Sequence, residues 1–141
     1  GGPNSQSIVI LIECEDKKIL LPGDSTPMEL YDALQNYNKT NGAPLELDFM
    51  KLPHHGSTRN ITKRVLDEVI CSNFVISTKK NKKYFFPNKE TIAKLIRYRE
   101  SADKAINVYF NYQESLDILG ITADELTEYN INLNVCNEFK I

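Results

Sequence analysis

The feature that most constrains this chain is a hydrophobic period that changes repeatedly along it. Short β-branched runs alternate with stretches of helical spacing from residue 7 to residue 135. Residues 7–13 (SIVILIE) are apolar on both faces and read as a buried strand. The polar turn 15–18 leads into a second strand, 18–21 (KILL), which would pair with the first as a hairpin. Pro22-Gly23-Asp24-Ser25 ends that strand abruptly. Pro27 then stands where a helix accepts its first residue, with Ser25 or Thr26 as cap, and Met28, Leu30, Tyr31 and Leu34 form its apolar stripe. Residues 36–44 (NYNKTNGAP), rich in Asn and Gly, read as a loop.

Residues 45–52 (LELDFMKL) predict one strand that runs into Pro53-His54-His55-Gly56. Ser57, Thr58 or Asn60 would cap a helix over 62–71, with Val65, Leu66, Val69 and Ile70 turned inward. Further on come a short buried strand at 74–77, a lysine-rich loop at 79–83 and a helix over 89–99 capped by Asn88. A strand at 106–112, weak helices at 114–120 and 123–128, and a half-exposed strand at 129–135 complete the pattern. The order β-β-α-β-α-β-α-β-(α)-β has neither repeat nor linker. It predicts one α/β domain over residues 1–141, a sheet packed against helices.

Composition removes several alternatives. With 41% hydrophobic and 26% charged residues, the 141-residue chain is neither disordered, nor collagen-like, nor a disulfide scaffold. Seventeen Lys and Arg against nineteen Asp and Glu leave a net charge of −2, so no overall basic field draws in nucleic acid, although a local patch can. No apolar run reaches the roughly 18–20 residues of a membrane span. The opening Gly1-Gly2-Pro3-Asn4 lacks the basic and apolar regions of a signal peptide and reads as an expression scar or a cut inside a longer protein. Cys14, Cys71 and Cys136 form no Cys-x-x-Cys pair, which argues against a zinc ribbon or a redox dithiol and for reduced thiols in the cytoplasm.

Two segments carry the chemistry, each directly after a strand. Gly23-Asp24 offers a rigidly held carboxylate beside a glycine that permits close approach, or simply an Asx-turn or helix cap. Pro53-His54-His55-Gly56-Ser57 holds the only two histidines of the chain. Neutral imidazole is the commonest metal ligand, but adjacent histidines cannot both point the same way. At most one is therefore an easy ligand, with the other an acid/base or supporting group, unless the pair only serves a surface or capping role. Loops at the C-terminal ends of strands gather on one sheet edge, so Asp24 and a histidine can meet there. One carboxylate and one imidazole fall short of the three or so protein ligands of a catalytic metal. By its own residues the chain holds half a site.

In order, these motifs resemble the second half of the metallo-β-lactamase-fold hydrolases, in particular the subgroup of the competence DNA-uptake proteins and their stand-alone relatives. The resemblance covers residues 4 to 112. It rests on Asn4-x-x-Ser7, Gly23-Asp24, the run Asp48-Phe49-Met50-Lys51-Leu52-Pro53-His54-His55-Gly56-Ser57, Val75-Ile76-Ser77, and Asn81-x-x-Tyr84-x-x-Pro87. It implies half of an αββα sandwich, a mixed sheet with flanking helices, and a divalent metal centre at one edge, with zinc usual and manganese possible. It also implies that Asp24 bridges the metals, that His55 is a ligand with His54 as the alternate, and that His54 otherwise serves as the acid/base group. The substrate would be a phosphodiester of a nucleic acid or nucleotide, with the cations supplying the water nucleophile and stabilising the charge that develops.

Two departures stand against that pattern. The family's main His-x-(His/Asp)-x-Asp-His motif lies in the first half of the fold and does not occur here. Phe86 stands where relatives often carry a histidine before proline. The resemblance therefore leaves two readings: a metal-dependent hydrolase whose site is completed by a missing N-terminal half or a homo-oligomer partner, or a non-catalytic binding module that keeps the fold. Ser57 and Thr58 would bind substrate or cap the following helix, and Lys82, Lys83 and Tyr84, in a loop with Lys79 and Lys80, would contact phosphates or form only a solvated loop. A half sandwich would also leave apolar sheet surface uncovered.

Overall fold

Eight strands and five helices follow one another in the computed structural model, which describes residues 7–78 and 87–138. In chain order they are β1 (Ile10–Cys14), β2 (Lys17–Leu21), α1 (Pro27–Asn41), β3 (Leu45–Glu46), β4 (Phe49–Lys51), α2 (Lys63–Leu66), β5 (Val69–Ile70), β6 (Asn73–Ile76), α3 (Lys89–Arg97), β7 (Ile106–Phe110), α4 (Gln113–Asp117), α5 (Ala123–Tyr129) and β8 (Ile131–Val135). Two tight turns, Pro53–Gly56 and Thr58–Asn60, separate β4 from α2.

β1 and β2 form the antiparallel hairpin, and β4, β6, β7 and β8 add to β2 in parallel, giving a six-stranded mixed sheet ordered β1-β2-β4-β6-β7-β8. β3 and β5 make a separate two-stranded parallel sheet. The chain is thus a mixed α/β structure with flanking helices.

The two faces of the large sheet differ. In-register positions Leu20, Met50, Phe74 and Val108, with Ile106 two residues before Val108 on β7, belong to one buried cluster. Into it all five helices send apolar residues: Leu30 and Leu34 from α1, Val65 from α2, Ile92 and Leu95 from α3, Leu116 from α4 and Leu126 from α5. The opposite face carries Ile10, Ile12, Ile19, Leu21, Phe49, Val75 and Tyr109, which lie outside that cluster. Ile8, Ile10 and Ile12 are 77%, 46% and 42% exposed. β1 is therefore an edge strand with one open apolar face, not the buried strand its composition suggests.

Other boundaries differ from expectation for identifiable reasons. Residues 36–41 continue α1, because the Asn38 amide is buried and donates to both the carbonyl and the carboxylate of Glu68 at 2.9 Å. Gly42, with φ +92°, then stops the helix. Residues 45–52 split into two strands at Asp48, whose N–H donates to the Lys18 carbonyl and whose carboxylate accepts from the Lys18 N–H, at 2.9 and 2.8 Å. The helix expected over 62–71 closes after Leu66, and its β-branched end, Val69–Ile70, pairs with Leu45–Glu46 instead. Thr62, not Ser57, Thr58 or Asn60, caps α2, accepting from the Val65 N–H. At α1 the cap is Thr26, in a reciprocal box with Glu29. No helix among the described residues is long and apolar enough to cross a membrane.

Candidate functional site

Parallel pairing of β2, β4, β6 and β7 brings their C-terminal ends to one sheet edge, and the candidate residues follow those ends. Gly23-Asp24 follows β2, His54-His55 follows β4, Ser77-Thr78 follows β6 and Asn111 follows β7. The first two loops touch directly: the His54 N–H donates to the Gly23 carbonyl at 3.2 Å. A second tie joins them deeper, where the Asn60 amide donates to the carbonyl of the fully buried Ser25 at 3.0 Å. Asp24, His54 and His55 are exposed.

The histidine loop is bent sharply. His54 and His55 both adopt left-handed backbone, with φ of +47° and +55°, and Gly56 continues at +82°. Side-chain-bearing residues pay about 1–2 kcal/mol each for that conformation, so the surroundings must hold them there. The Ser57 N–H closes the turn onto the His54 carbonyl at 3.1 Å. His55 Nδ1 donates to the Ser77 carbonyl at 3.0 Å. Gly56 has no room for a side chain, since a Cβ there would lie 3.2 Å from Cβ of Pro87 and 3.4 Å from Ile76.

One face of α3 clamps the same loop from behind. The Thr91 hydroxyl donates to the Gly56 carbonyl at 2.7 Å, and Asn88 Oδ1 accepts from the Thr58 N–H at 3.0 Å. Lys94 Nζ donates to the carbonyls of Thr58 and Ile61 at 2.6 and 2.9 Å. Asn88 is the N-cap residue of α3, as expected, but its side chain bonds the loop and makes no cap bond to its own helix. On the far side, Asn111 Oδ1 accepts from the Thr78 N–H and its amide donates to Ser77 Oγ, at 3.0 and 3.3 Å, while Ser115 Oγ donates to the Thr78 carbonyl.

Of the expected site residues, the fold gathers Asp24, His54 and His55 on one edge. Ser57 lies beneath them, 3% exposed, and the Thr58 hydroxyl is buried without a hydrogen-bond partner among the described residues. Lys82, Lys83 and Tyr84, with Lys79, Lys80 and Phe86, lie outside the described residues. Sequence reasoning named Asn60 only as a helix cap and did not single out Thr91, Lys94 or Asn111. The available signal for Asn111 was its place just after a parallel strand. Thr91 and Lys94 gave none beyond ordinary helix positions. Among the described residues, no group of three or more His, Cys, Asp or Glu is arranged to hold a metal ion. No protein-family model, curated protein or solved structure matches the chain.

Proposed function

We propose that this chain is the second half of a metal-dependent hydrolase of the metallo-β-lactamase superfamily, of phosphodiesterase type, acting on nucleic acid or nucleotide. The observation that carries the reading is the 3.2 Å bond from His54 to Gly23, which joins the two motif loops at the edge where parallel strands end. A carboxylate and an imidazole on adjoining loops are donor types that zinc takes and manganese accepts. His55 supports the assignment further. A carbonyl oxygen only accepts, so its bond with Ser77 fixes the proton on Nδ1 and leaves the Nε2 lone pair for a cation. Asp24 and His55 are the ligands in this reading, and exposed His54 exchanges protons with substrate or leaving group.

A divalent cation held there would activate water and offset charge at phosphorus. Two donors are fewer than a catalytic site uses, so the remaining ligands come from another segment, the N-terminal half of the fold or a partner copy. The exposed apolar side chains of Ile10 and Ile12 on β1 give a second sheet a place to pack. Ser57 and Thr58 then shape the loop from below, and Lys82, Lys83 and Tyr84 contact substrate phosphates. The free thiols Cys14, Cys71 and Cys136 fit a cytoplasmic setting.

A second reading, a non-catalytic binding module on the same fold, is favoured by the absence of a three-donor cluster among the described residues. Hydrolysis of bis-p-nitrophenyl phosphate and of single-stranded DNA by the protein in its natural full length separates the two. The enzyme reading expects divalent-metal-dependent turnover that Asp24→Ala and His55→Ala each abolish. Nucleic-acid binding without turnover supports the module instead.

A further inference from the structure

Among the described residues, the last strand of the sheet has an unused side. Parallel pairing with β7 is fixed at both ends of β8, where the Ile106 N–H donates to the Asn130 carbonyl at 3.1 Å and the Cys136 N–H donates to the Phe110 carbonyl at 2.9 Å. Main-chain groups alternate along a strand, so Asn132 and Asn134 also face β7. The N–H and C=O groups of Ile131, Leu133 and Val135 therefore point to the free edge. β8 ends the sheet order, and an open groove runs along it, lined by Ala123, Leu126 and Thr127 of α5. The strand carries no charge, proline or bulge of the kind that normally blunts an edge. Val135 at its end is 42% exposed.

The sequence Ile131-Asn132-Leu133-Asn134-Val135 reads nearly the same in both directions. We infer that a second copy of this chain docks along β8, antiparallel to it, about a twofold axis through Leu133. Three facts converge on that register. The three residues with outward main-chain groups pair only with one another: Leu133 with Leu133, and Ile131 with Val135 twice. Each is then a hydrogen-bonded pair, giving six main-chain bonds. Side chains match as well, with Leu133 opposite itself, Ile131 opposite Val135, and Asn132 opposite Asn134. Finally, an amide ladder already crosses the open face, from Asn132 to Asn107 and from Asn107 to Asn73, each at 2.9 Å. The partner's Asn134 extends that ladder across the axis. The result is a continuous twelve-stranded sheet made from two six-stranded ones. Such an isologous contact closes on itself and yields a dimer, not a fibre.

The register is tested by charge at the two exposed asparagines, in sedimentation velocity of the 141-residue chain over a concentration series. In Asn132→Lys/Asn134→Lys, lysines face lysines at both non-hydrogen-bonded pairs, and the dimer dissociation constant should rise about tenfold or more. In Asn132→Asp/Asn134→Lys, each aspartate faces a lysine of the other copy and dimerisation should persist. Hydrogen exchange of the unmodified chain gives an independent reading. Amides of Ile131, Leu133 and Val135 should gain protection with rising concentration, while those of Asn132 and Asn134 stay protected throughout. A wild-type monomer at several hundred micromolar overturns the inference, as do equal dimerisation of both variants and concentration-independent exchange at Leu133. None of these outcomes depends on metal binding, so the proposal stands or falls apart from the hydrolase reading.

Discussion

The backbone N–H of His54 donates to the carbonyl of Gly23 at 3.2 Å, although His54 must adopt left-handed backbone, φ +47°, to do so. Two loops are joined by that bond, between residues 31 positions apart in the chain, and local strain accompanies it. Glycine adopts this conformation freely and alanine does not. His54→Gly should therefore be about 1 kcal/mol more stable than His54→Ala. Both variants lose the imidazole, so urea denaturation of the pair isolates the backbone contribution. Equal stabilities would show that the turn is not strained at this position.

Thr91 holds the same loop through its hydroxyl, 2.7 Å from the Gly56 carbonyl, with both groups buried. Thr91→Val keeps the shape and removes the donor, and should cost about 1–3 kcal/mol in chemical denaturation. Thr91→Ser should recover most of that loss.

Gly56 and Gly120 both have positive φ, but only Gly56 is crowded. Gly120→Ala should cost about 1–2 kcal/mol, from backbone strain alone. Gly56→Ala adds overlap with Pro87 and Ile76, for a total of about 2–4 kcal/mol. Thermal melting of the two variants compares them directly.

Burial pushes the Cys71 thiol up from 9.0 to about 12, opposed by a backbone hydrogen bond at Asn73 and aided by the nearby Asp48 carboxylate. The unfolded chain loses this proton near pH 9 and the folded chain keeps it to about pH 12. Between those values the folded state binds more protons, so stability falls as pH rises, by up to about 1.4 kcal/mol per pH unit. Below pH 9 the thiol adds no slope. Cys71→Ala should flatten the alkaline limb of a stability–pH profile. In the native protein at pH 8, a thiol reagent should modify exposed Cys14 well before Cys71.

Element order was legible in the sequence because period and punctuation agree. Pro27 and Thr26 open α1, and the strict alternation of 131–135 gives β8. The misread boundaries share a cause: a distant partner outweighs the local signal. Asn38 suits a loop until Glu68 takes up its amide. Val69 and Ile70 fit a helix face until Leu45 and Glu46 offer a strand. Proximity of Asp24 to the histidine pair followed from strand-end logic. The α3 clamp did not, because Thr91 and Lys94 look like any helical residues until the loop folds over them.

Zinc titration of the protein in its natural full length, followed at the imidazole nitrogens by 1H–15N NMR, tests the central claim most directly. The account predicts a saturable shift of His55 Nε2, with Nδ1 still protonated, and affinity at least tenfold weaker in Asp24→Ala. Absence of any shift at His55, or a shift unchanged by Asp24→Ala, would contradict the assignment of these two residues as joint ligands.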